Sequence, residues 1–179
     1  RTLHDMMEVE KPLRELLLLH SRQVAQRALE IAGRHPELHL DTAFVEQAAM
    51  LHDIGIFMTH APGIHCHGEH PYLLHGYLGG QLMRQEGLDR VARVCERHTG
   101  TGLTARNITE QRLPLPVADY RPETIEEKLI CYADKFFSKS HPERVRSVAE
   151  TARSLEKFGE EGVRTFLEWA ELFDNEAIL

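Results

Sequence analysis

The 179-residue sequence predicts an all-α protein, a compact single-domain helical bundle. Three observations predict it. Apolar residues recur at three- and four-residue spacing along most of the chain. No stretch alternates apolar and polar residues long enough to make a useful strand. Glycine and proline fall where helices start and stop, and the chain is long enough for one well-buried core.

In chain order, the first helix runs from about Lys11 to Gly33, with Leu13, Leu16, Leu17, His20, Val24, Ala28 and Ile31 on one face. Pro12 suits its first turn and Gly33 its exit. Asp41 caps a second helix that continues to about Ile54 and closes at Gly55. Residues Phe57 to Tyr72, with Pro62, Gly63, Gly68 and Pro71, read as a long loop, and loops of that length are often functional. A helix follows from about Leu73 to Gln85, and Asp89 caps another that reaches about His98. Thr99–Gly102 is a turn. Leu113 to Pro122 carries three prolines and cannot be continuous helix. Helix resumes from about Thr124 to Ser138. Pro142 then opens a helix reaching about Phe158, and the last helix covers about Glu160 to Phe173. Its core-facing stripe is Phe166, Trp169, Leu172 and Phe173.

Composition narrows the function classes. Hydrophobic residues at 42% and charged residues at 27% are the balance of an ordinary globular protein. No apolar run, Leu16–Leu19 included, approaches the roughly 20 residues of a membrane span, so no membrane partner is expected. The opening RTLHDMMEVEKP carries acids and no signal-like hydrophobic stretch, and the expected location is cytoplasmic. The formal charge of −7 is spread through the sequence, and the basic face of a protein that grips nucleic acid is not evident. Cys66, Cys95 and Cys131 are scattered and odd in number, which predicts reduced thiols. Histidine is the unusual residue: 12 in all, five of them between His60 and His75.

The sharpest local feature is AAMLHDIG, residues 48–55. Ala48, Ala49, Leu51 and Ile54 mark the segment as buried, and a buried carboxylate is costly unless it is paired or bound to a metal. Asp53 can bridge two cations through its two oxygens, while His52 offers a nitrogen to one. The bland alternative is a helix cap or a buried hydrogen-bonded pair.

HDIG, with a histidine upstream and an aspartate downstream, resembles the HD superfamily of metal-dependent phosphohydrolases. His20 in LLLLHSRQVA and Asp134 in ICYADKFF match the family's flanking ligands in order and context. His75 in LLHGYLGG and His98 in VCERHTGTG match the two further histidines of dinuclear members. The resemblance covers about His20 to Lys139. It implies one metal on His20, His52, Asp53 and Asp134, and a second on Asp53, His75 and His98. It also implies an HD-type helical fold over 1–179, with a metal-site core of about 11–140 and C-terminal helices of about 141–175. Imidazole-rich ligation favours manganese, iron, cobalt, nickel or zinc over magnesium. Two such ions about 3.5–4 Å apart would activate water to hydroxide.

What the resemblance implies for function is hydrolysis of a phosphate ester or phosphoanhydride, of a nucleotide or related small molecule, with Asp53 and Lys135 in catalytic positions. Two alternatives stay open: a di-iron oxygenase of the same fold, and a non-catalytic domain that senses a ligand. For substrate binding the candidates are His60, His65, Arg97 and Lys139. Backbone N–H groups of the Thr99–Gly102 turn could meet an anionic oxygen. Asp119 and Tyr120 are expected at a second rim of the pocket. The Cys and His residues of the 57–72 loop also admit a separate structural zinc site. Oligomeric state is open.

Overall fold

The computed structural model describes residues 9–176, which form eight α-helices and one small three-stranded sheet. Helix α1, Lys11–Arg34, starts with Pro12 in its first turn and buries Leu13, Leu17, His20, Val24, Ala28 and Ile31 on one stripe, with Leu16 half-buried beside it. Helix α2, Thr42–Leu51, is capped by Asp41, whose side chain accepts from the Phe44 N–H at 3.1 Å. It stops at Leu51, short of the expected Ile54. The Ala49 carbonyl near its end accepts from the His52 ring at 2.6 Å, and a separate 3-10 turn, Ile54–Met58, carries the chain onward.

The 57–72 segment is not a plain loop. It forms strands β1 (Thr59–Ala61), β2 (Cys66–His67) and β3 (His70–Pro71) in the order β2-β1-β3, with β2 antiparallel and β3 parallel to β1. Strands of two or three residues are too short to show alternation in a sequence. Pro71 sits on an edge strand, where its missing N–H costs no ladder bond.

Helix α3, His75–Gln85, begins at the histidine itself, after a 3-10 turn over Tyr72–Leu74. Helix α4, Asp89–Glu96, has Asp89 as its first residue, and Leu88 occupies the cap position without a side-chain bond. It ends before His98, which lies just beyond. Helix α5, Ala105–Gln111, stands where the sequence offered no periodicity. Thr104 and Asn107 cap it reciprocally at 3.0 and 2.9 Å. Helix α6, Ile125–Asp134, has the same device in Thr124 and Glu127, and ends four residues before the expected Ser138.

The expected start at Pro142 is also displaced. Helix α7 is Val148–Ser154, begun by a Ser147–Glu150 capping box. Residues 141–144 instead form a turn, closed by the Arg144 N–H on the His141 carbonyl at 3.0 Å, and Val145 beyond it bridges to Phe137. Helix α8, Glu160–Asp174, buries Phe166, Trp169, Ala170 and Phe173, while Leu172 is 39% exposed. The buried set has the i, i+3, i+4, i+7 spacing, and Leu172 falls one residue off that face.

One core joins α1, α2, α3, α4, α6 and α8. Tyr132 of α6 stacks on Phe166 with centroids 5.1 Å apart, and its hydroxyl donates to Asp174. Arg27 and Arg34 of α1 pair with the same carboxylate. No helix among the described residues is long and apolar enough to cross a membrane.

Candidate metal centre

Six side chains from five places along the chain meet inside this core. His20 comes from mid-α1, His52 and Asp53 from the junction of α2 with the 3-10 turn, His75 from the first residue of α3, His98 from just past α4, and Asp134 from the last residue of α6. All six are buried. Five are placed at or beside helix ends, where side chains can project toward a common point without crossing a neighbouring turn.

The junction that carries His52 and Asp53 is held by close backbone approach. A Cβ on Gly55 would overlap the carbonyl oxygen of His75 and lie 2.5 Å from the Gly79 nitrogen. Glycine at 55 therefore lets the turn press against α3, which brings His75 to Asp53.

Asp53 is the centre of the arrangement. Its Oδ2 lies 3.2 Å from His20 Nε2 and 3.1 Å from His52 Nε2. Its Oδ1 lies 3.2 Å from His75 Nε2 and 3.1 Å from His98 Nε2. Asp134 Oδ1 closes the first group, 2.9 Å from His20 Nε2 and 3.2 Å from His52 Nε2. His75 and His98 bring their Nε2 atoms within 2.9 Å of each other. Two groups of donors thus share one carboxylate: His20, His52, Asp53 and Asp134, and Asp53, His75 and His98.

The ring orientations are fixed from behind. Nδ1 of His52, His75 and His98 donates to the carbonyls of Ala49, Tyr72 and Cys95 at 2.6, 2.7 and 2.7 Å. In each case the carbonyl is three residues earlier. Tyr72 also stacks on His75, with centroids 4.4 Å apart. With the proton on Nδ1, a neutral ring presents a bare lone pair at Nε2.

His98 shows the consequence. Burial pushes it down to about 4, against the opposing pull of Asp53. It is neutral at pH 7, and its Nε2 lone pair faces a carboxylate oxygen, acceptor against acceptor. Neither oxygen of Asp53 has an aligned hydrogen-bond donor. Lys139 Nζ sits 2.9 Å from Oδ2 as an ion-pair partner without that alignment.

Burial alone would raise the Asp53 carboxyl, but His52 and Lys139 outweigh it and hold the group well below the usual carboxylate range. Lys135, with His20 and His52, does the same for Asp134 against its burial. These two anions overcome the burial of His52 and raise it to about 10. The cage calls for positive charge at its centre.

A divalent cation fits that demand. Metal bonds to imidazole and carboxylate of about 2.0–2.2 Å hold neighbouring donors roughly 3–3.5 Å apart, the spacing seen here. Two ions on a shared carboxylate is the geometry of a dinuclear site, and the donor set of nitrogens with carboxylate oxygens suits a transition metal.

The remaining candidates separate into near and far. Lys135 Nζ donates to Asp134 Oδ2 at 2.9 Å and to the His98 carbonyl at 2.6 Å. Lys139 reaches Asp53. Both line a cleft of about 220 Å³ that opens on His75, His98 and Asp134, with the Thr99–Gly100 turn on its wall. His65 lines a separate cleft of about 270 Å³, with Leu16, Leu19, His20 and Lys139.

Arg97 is turned away. Its guanidinium donates to the Arg121 carbonyl at 2.6 Å and pairs with Glu123 at 3.1 Å. His60 is exposed on the central strand and lines neither cleft. Tyr120 is buried in a small apolar cluster with Leu103 and Ile108 rather than at a rim. Asp119 does border a larger cleft of about 750 Å³, paired with Arg121. His60, His65, Cys66, His67 and His70 form no ligand group; among the described residues the groups of three or more are the two centred on Asp53. Arg146, Lys157 and Phe158 also line the 220 Å³ cleft. No motif or spacing in the sequence marks them.

The HD-domain family matches residues 17–138. An uncharacterized protein of Methanocaldococcus jannaschii is 36% identical over 138 residues, which covers 72% of this chain and 74% of that protein. A tRNA (cytidine(56)-2'-O)-methyltransferase of Picrophilus torridus is 35% identical over 125 residues, and that of Thermoplasma volcanium 31% over 140. The matches span 32% and 37% of those two enzymes, so the chain corresponds to about a third of their length. No solved structure matches the chain. The family match runs through all six residues of the buried cluster, from His20 to Asp134, and the chain belongs to the HD-domain family.

Proposed function

We propose that the chain is a metal-dependent phosphohydrolase that acts on a phosphate ester or phosphoanhydride of a small molecule. The observation that carries this reading is Asp53, a buried carboxylate whose two oxygens each face a separate pair of histidine nitrogens and no aligned donor. His20, His52, Asp53 and Asp134 would hold one ion, and Asp53, His75 and His98 the other. Such ions supply Lewis acidity toward a phosphoryl oxygen and acidify a bound water.

The chain's own residues supply the rest. Lys135 uses two of its three N–H donors on the His98 carbonyl and Asp134. The third is available to an anionic oxygen in the cleft, where positive charge stabilises the charge developing on a transferred phosphoryl group. Lys139 adds a second cation on the same wall. The two tRNA-modifying relatives suggest RNA as an alternative carrier of the phosphate. The net charge of −7 favours a small molecule.

Elemental analysis paired with a phosphoester panel tests the reading. We expect about two transition metals per chain, near one in His75→Ala and near none in Asp53→Ala, with helical circular dichroism retained and hydrolysis lost in Asp53→Ala. Unchanged turnover in Asp53→Ala, or no metal after reconstitution with several divalent ions, would overturn it. Iron-dependent oxygen consumption without hydrolysis would assign the site to an oxygenase instead.

A further inference from the structure

We propose that residues 139–158 form the substrate-recognition wall of this protein. In that wall Arg146 and Lys157 bind a second anionic group beyond the reacting phosphate, and Phe158 stacks a planar ring. The segment lies outside the family match, which ends at residue 138. The inference rests on the phosphohydrolase reading and narrows its substrate to a compound with two linked phosphates and an aromatic moiety.

The charge pattern of the 220 Å³ cleft leads there. Its lining holds four cations, Lys135, Lys139, Arg146 and Lys157, and one carboxylate, Asp134. Lys135 and Lys139 are committed to the buried cluster, paired with Asp134 and Asp53. Among the described residues, Arg146 and Lys157 have no ion-pair partner within 4.0 Å, in a chain where acids outnumber bases 28 to 21. Two unpaired cations beside a metal-binding cage offer a site for an anion that the cage itself does not hold. The guanidinium's planar fork suits a phosphate bidentately, and the lysine serves as a point charge.

Position supports the assignment. The Arg146 N–H donates to the Phe136 carbonyl at 3.0 Å, and Val145 bridges to Phe137. The backbone of Arg146 is thereby anchored to the chain just past Asp134. Among the described residues its guanidinium makes one hydrogen bond, to the Lys135 carbonyl at 3.4 Å, which leaves most of its donors uncommitted. Phe158 is 43% exposed and borders both this cleft and the 750 Å³ cleft beyond. The two clefts share only Thr99, Gly100 and Phe158. A ligand reaching from the metals into the larger space would pass Phe158, whose ring already has Lys157 Nζ 5.2 Å from its centroid, so a stacked planar group would lie against that ammonium or on the opposite face.

Titration calorimetry on the whole, metal-loaded protein with AMP and α,β-methylene ADP tests the proposal. We expect the diphosphate to bind about tenfold or more tightly than the monophosphate. The preference should fall below about threefold in the Arg146→Ala/Lys157→Ala double variant, with metal content and circular dichroism unchanged. Phe158→Leu should weaken both ligands by the same factor and leave the preference intact. A diphosphate preference that survives in the double variant overturns the proposal, as does no preference, or no binding of either nucleotide, in the wild type. Turnover is a separate readout. Loss of the preference in a protein that hydrolyses nothing supports this wall and sinks the phosphohydrolase reading. Hydrolysis that depends on Asp53, with the preference intact in the double variant, does the reverse.

Discussion

Gly55→Ala is a one-carbon test of how the site is assembled. The added methyl would overlap the His75 carbonyl and lie 2.5 Å from the Gly79 nitrogen and 2.9 Å from its Cα. These are backbone atoms, so no side chain can swing aside, and the turn at 54–58 and α3 must separate. Overpacking of this kind costs about 1–3 kcal/mol. In a domain of this size each kcal/mol moves Tm by roughly 2–4 °C, which predicts a fall of about 2–12 °C. Because α3 carries His75 away with it, metal content should drop toward one ion per chain. Gly33→Ala is the control: nothing lies within 4 Å of its Cβ, and it sits inside α1. Replacing a helical glycine gains about 0.5–1 kcal/mol, so Tm should rise slightly and metal content should hold. Thermal unfolding with elemental analysis on both variants decides the matter. A Gly55→Ala protein that melts with wild type and keeps both ions would refute the close-approach argument.

Three further outcomes are expected. Glu127 accepts from Arg93 at 2.8 Å and from two backbone N–H groups, and these outweigh its burial to lower its pKa. Its contribution to stability is therefore present above the ordinary carboxylate pKa of about 4.3 and lost as pH falls through the lowered folded-state value. Urea titrations of wild type and Glu127→Gln should differ at neutral pH and converge in acid; a gap that widens in acid would be the wrong sign. Tyr132→Phe deletes the hydroxyl that donates to Asp174, which keeps Arg27 and Arg34, so denaturation should show a loss of about 1–2 kcal/mol. Burial pushes the thiols of Cys66 and Cys131 up to about 11, and Cys95 is raised as well. Since the thiolate is the nucleophile, mass spectrometry should find all three unalkylated by iodoacetamide at pH 8 until the protein is unfolded.

The helical class and the His52–Asp53 pair were legible in local pattern, and the other four members of the cluster through the resemblance that HDIG carries. His20 falls on the apolar stripe of α1, and His52–Asp53 follow the apolar run of α2, so burial was readable beside chemistry. Element ends were less so. The sequence allows α2 to continue to Gly55, and what stops it is the His52 ring on the Ala49 carbonyl and contact with α3, neither of which is a propensity. Pro142 is a good first-turn residue, yet the helix waits for Ser147 because the intervening chain pairs with Phe137. The Thr104–Asn107 box was a signal for α5 that short length concealed. Among the substrate candidates, Lys139 pairs with Asp53 and His65 borders a neighbouring cleft, whereas Arg97 and His60 line neither cleft. A cation's direction depends on partners such as Glu123 and the Arg121 carbonyl, which no spacing rule supplies.

The three imidazoles are aimed by main-chain carbonyls three residues before them, at Ala49, Tyr72 and Cys95. The same helix ends that carry these rings therefore set their directions, with each Nε2 turned toward Asp53 or Asp134.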